Sequence, residues 1–211
     1  MLFTDCENHE ICICWAWQCV HARVRRRNIG DDVCQCVDQC GPACFNRIVQ
    51  TECLTSLCPL RQACTNLGGF WLPRLLPSTI VARSEMHAEG KHVGLGLFLS
   101  DSVKKGQEID SYTGDVKTEQ KLQQDLTRRG PEDMRYDIAL ERLPDGYRDG
   151  PLFIDAYDRR NKTRFINHSC EPNCVFEKWQ REGFPIIKVM ALQDMRAGTE
   201  LTVSYNWSPD I

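Results

Sequence analysis

The chain contains 211 residues and carries a formal net charge of −3 at pH 7, with 42% hydrophobic and 26% charged residues. This composition is typical of a soluble globular protein, and the length suffices for one medium domain and a smaller one. It argues against a general nucleic-acid binder, which would be basic, and no apolar run approaches the roughly 18 residues that a membrane span needs. The opening "MLFTDCENHE" lacks the basic start and apolar core of a secretory signal, so we expect none.

Cysteine is the most informative residue type. The chain has 13 cysteines, and 11 of them lie between Cys6 and Cys64. An odd, clustered set without a secretory signal favours metal thiolates over disulfides. The second half of the cluster offers seven thiolates: Cys34, Cys36, Cys40, Cys44, Cys53, Cys58 and Cys64. Two separate tetrahedral zinc ions need eight donors, so this spacing predicts a compact structural site in which one sulfur bridges two zinc ions.

The N-terminal segment permits two interpretations. Its donors would suffice for a third zinc ion: Cys6, His9, Cys12, Cys14, Cys19 and His21. Alternatively, "ICICWAW" is a buried strand whose cysteines act as small hydrophobic residues. The basic run Arg23–Arg27 either contacts DNA phosphates or forms a solvated loop.

Beyond Phe70 the sequence changes to short segments rich in β-branched and aromatic residues. A proline-punctuated connector, "LPRLLPS", leads into predicted strands at "STIVAR", "GLGLFL", "EIDSYTG", "YDIAL", "LFIDAY", "IIKVMAL" and "ELTVSY". One helix is predicted from Thr118 to Arg129, because it opens with Thr-Glu and closes at Gly130-Pro131. We therefore predict a mostly β fold with small α content. Its parts are an N-terminal Cys/His segment (1–30), a zinc module (31–70) and a β domain (71–211) with a helical insert at about 115–150.

Over residues 34–207 the motifs resemble a known family. "CQC…CGPACFNRIVQTEC…CPLRQAC" resembles the zinc-binding AWS (associated-with-SET) motif. "VGLGLF", "IDSYTGD", "FIDA", "NKTRFINHSCEPNC" and "AGTELTVSYNW" resemble, in order, the motifs of SET-domain protein lysine methyltransferases. The resemblance implies a SET β-clip, with a pseudoknot that brings "NHSC" against "ELTVSY". The combination is similar to the NSD-type and ASH-type subgroup, which acts on lysine 36 of histone H3.

The resemblance implies methyl transfer from S-adenosylmethionine to a lysine amine. This displacement at carbon requires the amine, the methyl group and the sulfur to lie in line. The amine must be neutral, whereas free lysine has a pKa of about 10.4, so a narrow and largely dry channel is expected. Carbonyl and hydroxyl oxygens can contact the methyl hydrogens, and no metal is required for this step.

The resemblance also implies roles for individual residues. Tyr205 is the expected catalytic tyrosine and Tyr136 a second one, with Tyr112 and Val203 as walls of the substrate channel. For each tyrosine the alternative is an ordinary core aromatic. The expected cofactor-binding residues are Val93, Gly94, Leu95, Gly96, Arg135, Tyr136, Arg164, Asn167, His168 and Trp207.

The sequence departs from the family at several positions. Val203 stands where relatives usually have Phe or Tyr, which leaves the number of methyl groups added open, and Leu95 replaces a frequent Trp. Arg160 stands where relatives often have Gly. The sequence ends six residues after Tyr205, so we expect the post-SET segment to lie outside it and assign no metal to Cys170.

Taken together, these features predict a histone-lysine N-methyltransferase domain of the nucleus and chromatin. Its predicted substrate is histone H3 on nucleosomes, with lysine 36 favoured by the subgroup resemblance. Three alternatives stay open: a catalytically silent SET module that acts as a chromatin scaffold, a methyltransferase of a non-histone protein, and a zinc-dependent nucleic-acid binder.

Overall fold

The fold was analysed in a computed structural model, which describes residues 34–67, 76–88, 90–130, 135–140, 147–148, 150–181 and 183–205. The residues of the predicted third zinc site, the basic run Arg23–Arg27 and Trp207 lie outside the described residues. Two compact units are present. Unit 1 comprises residues 1–66, 113–161 and 180–185, and unit 2 comprises residues 67–112, 162–179 and 186–211.

Short β-strands dominate the described part of the chain, which confirms the predicted mostly β class. The strands are β1 (Thr79–Arg83), β2 (His87–Ala88), β3 (Lys91–His92), β4 (Leu95–Leu99), β5 (Glu108–Tyr112), β6 (Asp115–Thr118), β7 (Asp137–Leu140), β8 (Leu152–Asp155), β9 (Asn167–His168), β10 (Cys174–Arg181), β11 (Phe184–Ala191) and β12 (Thr202–Val203). The α-helices are α1 (Phe45–Ile48) and α2 (Glu119–Arg129), and 3₁₀ turns span Arg61–Ala63 and Lys162–Phe165. Of the helices in the described ranges, none has the length and apolar character to cross a membrane.

Unit 1 contains an antiparallel sheet of order β6-β8-β7 with α2 following directly on β6. Strand β8 is the central strand and is almost entirely buried, as expected for the apolar run "LFID". The helix begins where predicted, because the Thr118 hydroxyl accepts a hydrogen bond from the Lys121 backbone N–H at 3.3 Å. It ends before Gly130, whose backbone has a positive φ of 93° that favours glycine.

A buried ion network connects α2 to β6 and β8 within unit 1. Lys117 Nζ lies 2.7 Å from Asp125 Oδ2 and 2.8 Å from Asp155 Oδ2. Arg129 adds a 2.7 Å contact to the same Asp155 oxygen, and its guanidinium lies 3.7 Å from the centre of the Tyr157 ring. Two carboxylates buried in this way are tolerated only because cations and hydrogen bonds compensate their charge.

The ion network alters the pKa values of its members in opposite directions. Burial alone would raise the pKa of the Asp155 carboxyl, but hydrogen bonds from Arg129 and Lys117 outweigh burial and hold this pKa below its usual range. Burial alone would lower the pKa of Lys117, but its bonds to Asp125 and Asp155 outweigh burial and raise that pKa. Each group is therefore more firmly charged in the folded protein than in the unfolded chain.

Unit 2 holds a hydrophobic core and, among its described residues, four small sheets, one of which is the antiparallel pair β2–β3. Strand β1 pairs with β4 in antiparallel register, from Thr79 opposite Leu99 to Arg83 opposite Leu95. A second sheet has the order β10-β11-β5, and β9 pairs in parallel with β12. The core is formed by Leu97, Leu99, Val103, Ile109, Ile166, Cys174, Val189, Ala191, Met195, Leu201 and Val203. The strands β4, β5, β10, β11 and β12 contribute residues to this core, and Ile166 lies directly before β9.

Six of the seven predicted strand segments lie on strands of nearly the predicted length, whereas "ELTVSY" contributes only Thr202 and Val203 to a ladder. Two longer strands, β6 and β10, were missed by the sequence analysis. Half of the residues of β10, "CVFEKWQR", are charged or amide side chains, so its sequence shows no apolar alternation. The charges are accommodated by local pairing, as where the Trp179 indole donates to Glu177 Oε2 at 2.8 Å.

We predict that Asp155→Asn lowers the free energy of unfolding by about 3 kcal/mol at pH 7, measured by urea denaturation, because it removes the charge that compensates Lys117 and Arg129. Asp194→Asn is the matched control. Its partner Lys104 also lies 2.7 Å away, but both side chains are exposed, so little change is expected.

The pH dependence of this effect follows from the lowered pKa of Asp155. A carboxyl whose pKa falls on folding stabilises the protein above the pKa of the unfolded chain, about 3.9, and this stabilisation disappears as the pH falls further. The difference between parent and Asp155→Asn should therefore shrink below about pH 4. Equal effects of the two substitutions at pH 7 would contradict a compensating role for the network.

Candidate functional site

The seven predicted thiols of the first module come together in unit 1. The thiols form two overlapping groups of four, and within each group all sulfur atoms lie within 4.8 Å of one another. The first group is Cys34, Cys36, Cys40 and Cys44, and the second is Cys34, Cys40, Cys53 and Cys58. Cys64, the seventh thiol, hydrogen-bonds with Cys40. Six of the seven are buried, and Cys36 is partly exposed.

This cluster has the chemistry of a metal centre. The pKa of the Cys36 thiol is raised to about 11, chiefly by burial. Burial also raises the pKa values of Cys40 and Cys53 far above the ordinary range. Crowded, buried thiols therefore keep their protons unless a cation takes the place of those protons. The thiolate donors and their spacing fit zinc.

Two buried asparagines that the sequence analysis missed support the sulfur atoms. The side-chain amides of Asn46 and Asn66 lie 3.5 Å and 3.3 Å from Cys53 Sγ, and the Asn66 backbone N–H donates to Cys64 Sγ at 3.3 Å. N–H donors directed at sulfur favour the thiolate form. The sequence held no signal for them, because each asparagine also reads as an ordinary turn residue.

In unit 2 the segment "NHSC" lies beside "ELTVSY", as the pseudoknot prediction required. Thr202 is opposite Asn167 and Val203 is opposite His168 in the parallel β9–β12 ladder. The pairing continues where the Ser169 backbone N–H donates to the Val203 carbonyl at 3.0 Å. Residues about 35 positions apart in sequence thereby become direct neighbours.

Hydrogen bonds of Asn173 stabilise this pairing. Its side-chain oxygen accepts from the Thr202 N–H at 2.8 Å, and its side-chain nitrogen donates to the Glu200 carbonyl at 2.7 Å. Its own backbone N–H donates to the Thr202 hydroxyl at 3.2 Å. One side chain therefore satisfies two backbone groups of the strand segment 200–202.

Tyr205 is exposed and is held at two points within unit 2. Its hydroxyl donates to the Ile166 carbonyl at 2.7 Å, and its backbone N–H donates to His168 Nδ1 at 3.1 Å. Because a backbone N–H can only donate, Nδ1 of a neutral His168 is the acceptor and the proton lies on Nε2, 3.6 Å from Cys170 Sγ. The phenol oxygen is thus oriented by the protein.

The glycine-containing turn ahead of β4 lies next to Asn167. The Asn167 side-chain nitrogen donates to the Leu95 carbonyl at 3.0 Å and to Glu200 Oε1 at 2.9 Å. Gly94 has a φ of +92° and open space where a side chain would stand, whereas a Cβ on Gly96 would lie 2.3 Å from Glu200 Oε1. The first glycine leaves room for a ligand beside the backbone, and the second is required by the close Glu200 carboxylate.

The other predicted site residues are distributed between the units. In unit 2, Val203 is fully buried beside His168, and Tyr112 is buried with its ring centre 5.3 Å from that of Phe176. The Arg164 guanidinium lies 5.4 Å from the Phe165 ring centre, and Val93 donates from its backbone to the Met86 carbonyl at 3.1 Å.

In unit 1, Tyr136 accepts a backbone hydrogen bond from Ala156, and its ring centre lies 6.4 Å from that of Tyr157. The Arg135 guanidinium makes two hydrogen bonds to Asp137, at 2.9 and 2.8 Å. The functional roles of all these residues stay predictions.

Comparison with known proteins identifies the fold family. The SET-domain family model matches residues 94–206. This chain belongs to the SET-domain family. The resemblance to SET-domain histone-lysine N-methyltransferases that the motifs indicated is thereby confirmed.

Curated relatives of this SET domain carry the name histone-lysine N-methyltransferase. They include ASHH2 of Arabidopsis thaliana, 33% identical over 171 residues, and NSD3 of Mus musculus, 33% identical over 163 residues. These matches cover 80% and 77% of this chain but only 9% and 10% of the relatives. A relative named "H3 lysine-36 specific" from Homo sapiens is 30% identical over 179 residues, which cover 82% of this chain and 6% of that protein. The chain therefore spans about a tenth or less of the length of these curated relatives.

Solved structures support the fold. The polycomb repressive complex 2 of Chaetomium thermophilum aligns with a TM-score of 0.69 and 21% identity over 84% of this chain and 24% of that chain. A structure described as ctPRC2 bound to S-adenosylmethionine aligns with a TM-score of 0.65 and 22% identity, covering 77% of this chain and 21% of that chain. At this level of identity the likeness concerns the fold.

We predict that Asn173→Ala lowers the free energy of unfolding by about 3 kcal/mol, because it leaves the Thr202 N–H and the Glu200 carbonyl without their partner. Thr202→Val is the matched comparison, since it removes only the acceptor of the Asn173 N–H, and about 1 kcal/mol is expected. Chemical denaturation of both variants measures the difference. If Asn173→Ala lowered the free energy of unfolding no more than Thr202→Val does, the side chain of Asn173 would not be a main stabilising contact of this ladder.

Proposed function

We propose that this SET domain is a protein-lysine N-methyltransferase that uses S-adenosylmethionine and acts on histone H3 in nucleosomes. The observation that carries the proposal is the convergence, within unit 2, of the Gly94 turn, Asn167, His168 and Tyr205 around the β9–β12 ladder. Relatives named as histone-lysine N-methyltransferases support the reaction class, and the relative named for H3 lysine 36 supports that lysine as the target. Such an activity belongs in the nucleus, on chromatin.

The residues at the turn fit the proposed cofactor. The side-chain amide nitrogen of Asn167 is used twice, by Leu95 and Glu200, and no described residue donates to its amide oxygen. That oxygen is available for an N–H donor of a ligand, and S-adenosylmethionine carries such donors on its adenine and ammonium groups. The open space at Gly94 allows the ligand to approach the backbone. When bound, S-adenosylmethionine supplies an activated methyl group.

Tyr205 is the residue that we assign to the methyl-transfer step. Its hydroxyl proton is engaged by the Ile166 carbonyl, so the oxygen lone pairs face away from that bond. A fixed oxygen can orient the substrate amine and contact the polarised methyl hydrogens. We propose as further cofactor-binding residues Tyr136, Arg135, Arg164 and Trp207. Tyr136 is also proposed as the second catalytic tyrosine. Tyr112 and the fully buried Val203 are proposed as channel walls.

We predict that Tyr205→Phe lowers the rate of H3 methylation about a hundred-fold or more, because the ring remains and only the positioned oxygen is lost. The assay is mass spectrometry of recombinant nucleosomes incubated with the protein and S-adenosylmethionine, which also identifies the lysine and the number of methyl groups. Tyr157→Phe is the matched control, since it removes a hydroxyl but keeps the ring that lies under Arg129.

The outcomes of this assay separate the alternatives. Methylation by the parent and by Tyr157→Phe, with loss in Tyr205→Phe, is the result expected for the enzyme. Cofactor binding by calorimetry without turnover on any histone would favour a chromatin-binding scaffold. Turnover on another protein but not on nucleosomes would favour a non-histone substrate.

We also propose that the seven clustered thiols form an AWS-type module with two zinc ions. Cys34 and Cys40 belong to both groups of neighbouring sulfurs, so either can supply the bridging sulfur that seven donors require. Zinc would replace the thiol protons that burial otherwise retains, and it would hold a segment that has little apolar core of its own.

We predict that Cys40→Ser lowers the zinc content by up to two ions per chain, whereas Cys36→Ser, which belongs to one group only, lowers it by at most one. Elemental mass spectrometry of the purified variants measures zinc per chain. Cys12→Ser tests the N-terminal segment separately, because a drop in zinc there would indicate a third site. Equal losses in Cys40→Ser and Cys36→Ser would contradict the shared position of Cys40.

A further inference from the structure

A hydrogen-bond chain in unit 2 leads from the core to the amide of Asn167 by way of Glu200. Ser84, which is fully buried, donates from its hydroxyl to Glu200 Oε2 at 2.9 Å. The other carboxylate oxygen, Oε1, accepts from the Asn167 side-chain nitrogen at 2.9 Å. Ser84 is itself fixed by the Met86 N–H, which donates to its hydroxyl oxygen at 3.0 Å, and it donates from its own backbone to the Gly94 carbonyl at 2.9 Å.

This arrangement decides which way the Asn167 amide faces. Its nitrogen lies between the Leu95 carbonyl and the Glu200 carboxylate, and both of these groups can only accept hydrogen bonds. If the amide were rotated by half a turn, its oxygen would face two acceptors, which is unfavourable. The carboxylate and the Leu95 carbonyl therefore fix the amide with its nitrogen toward them and its oxygen away from them.

The backbone around Glu200 is built to admit this carboxylate. A Cβ on Gly96 would lie 2.3 Å from Oε1 and 2.8 Å from Cδ of Glu200, so a side chain larger than glycine would displace the carboxylate. The Glu200 carbonyl is held by Asn173, and Phe98 forms a bridge with Glu200. The carboxylate is thus fixed from the strand side as well as by its hydrogen-bond partners.

We propose that Glu200 is a positioning residue of the cofactor site, which fixes the Asn167 amide with its oxygen directed at an N–H donor of S-adenosylmethionine. The inference rests on the proposed function, because the ligand at Asn167 is the proposed cofactor. Glu200 acts through Asn167 and is given no contact with the reacting atoms. The close approach of Gly96 to this carboxylate leaves no room for a side chain at position 96 while Glu200 keeps its place.

The test is a double-mutant cycle on binding of S-adenosylmethionine, measured by calorimetry with the full chain. Glu200→Ala is expected to raise Kd about ten-fold to a hundred-fold, as expected for loss of a hydrogen bond to a charged group. In the Asn167→Ala background, the same substitution should add little, because the residue through which Glu200 acts is already missing. Glu200→Gln, which keeps one acceptor oxygen, should recover part of the affinity.

Two controls separate positioning from general effects. Glu85→Gln removes the same charge from an exposed side chain of the adjoining segment, and its Kd should equal that of the parent. Thermal unfolding of each variant identifies any variant that fails to fold. If Glu200→Ala fails to fold, Glu200→Gln takes its place in the cycle, both as a single variant and in combination with Asn167→Ala.

The outcomes distinguish this inference from the proposed function. Parent binding with non-additive losses in the cycle supports the positioning role. Parent binding with additive losses, or with unchanged affinity in Glu200→Ala, overturns the role of Glu200 and leaves the proposed function intact. If the parent itself does not bind S-adenosylmethionine, the proposed function fails, and the inference fails with it.

Discussion

The parallel pairing of β9 with β12 is the interaction on which the proposed catalytic site depends. Only four residues form the ladder, so its backbone bonds alone contribute little stability. The pairing is maintained by burial of Val203 and Leu201 in the core and by the two side-chain hydrogen bonds of Asn173. Because Asn167, His168 and Tyr205 all lie on or next to this ladder, the accuracy of the site depends on packing beneath it.

Several charged groups in this SET domain are compensated by specific salt-bridge or hydrogen-bond partners. In unit 1, Lys117 and Arg129 compensate Asp155, which ties α2 to the central strand of its sheet. In unit 2, the Glu200 carboxylate is satisfied by Ser84 and Asn167, and the buried Lys188 is paired with Glu108 at 2.7 Å. Each of these groups would destabilise the fold if its partner were lost, so each also limits the conformations that the neighbouring backbone can adopt.

The thiol module solves a different physical problem. Residues 34–66 bury cysteines in place of a branched aliphatic core, and among the exposed large side chains of this segment are Val37, Phe45 and Ile48. This segment has little apolar burial to order it, which is the reason for the zinc proposal. Asn46 and Asn66 show that the sulfur atoms also have local hydrogen-bond donors, as metal sites usually do.

The sequence by itself determined the family, the mostly β class, the position of α2 and the membership of the thiol cluster. These features depend on local signals: motif spacing, turn residues and the Thr118 cap. The sequence could not predict β10, because the charged residues of this strand conceal the strand pattern. It also could not predict the hydrogen bonds of Asn66, Asn173 and Glu200, because common polar residues carry no spacing signal.

Only the tertiary structure decided those contacts. Glu200 and Ser84 are 116 positions apart, and Asn167 and Leu95 are 72 apart, so their hydrogen bonds exist only after the strands have packed. The physical reason is that a hydrogen bond between distant residues is determined by where the backbone brings them, which a linear pattern does not encode.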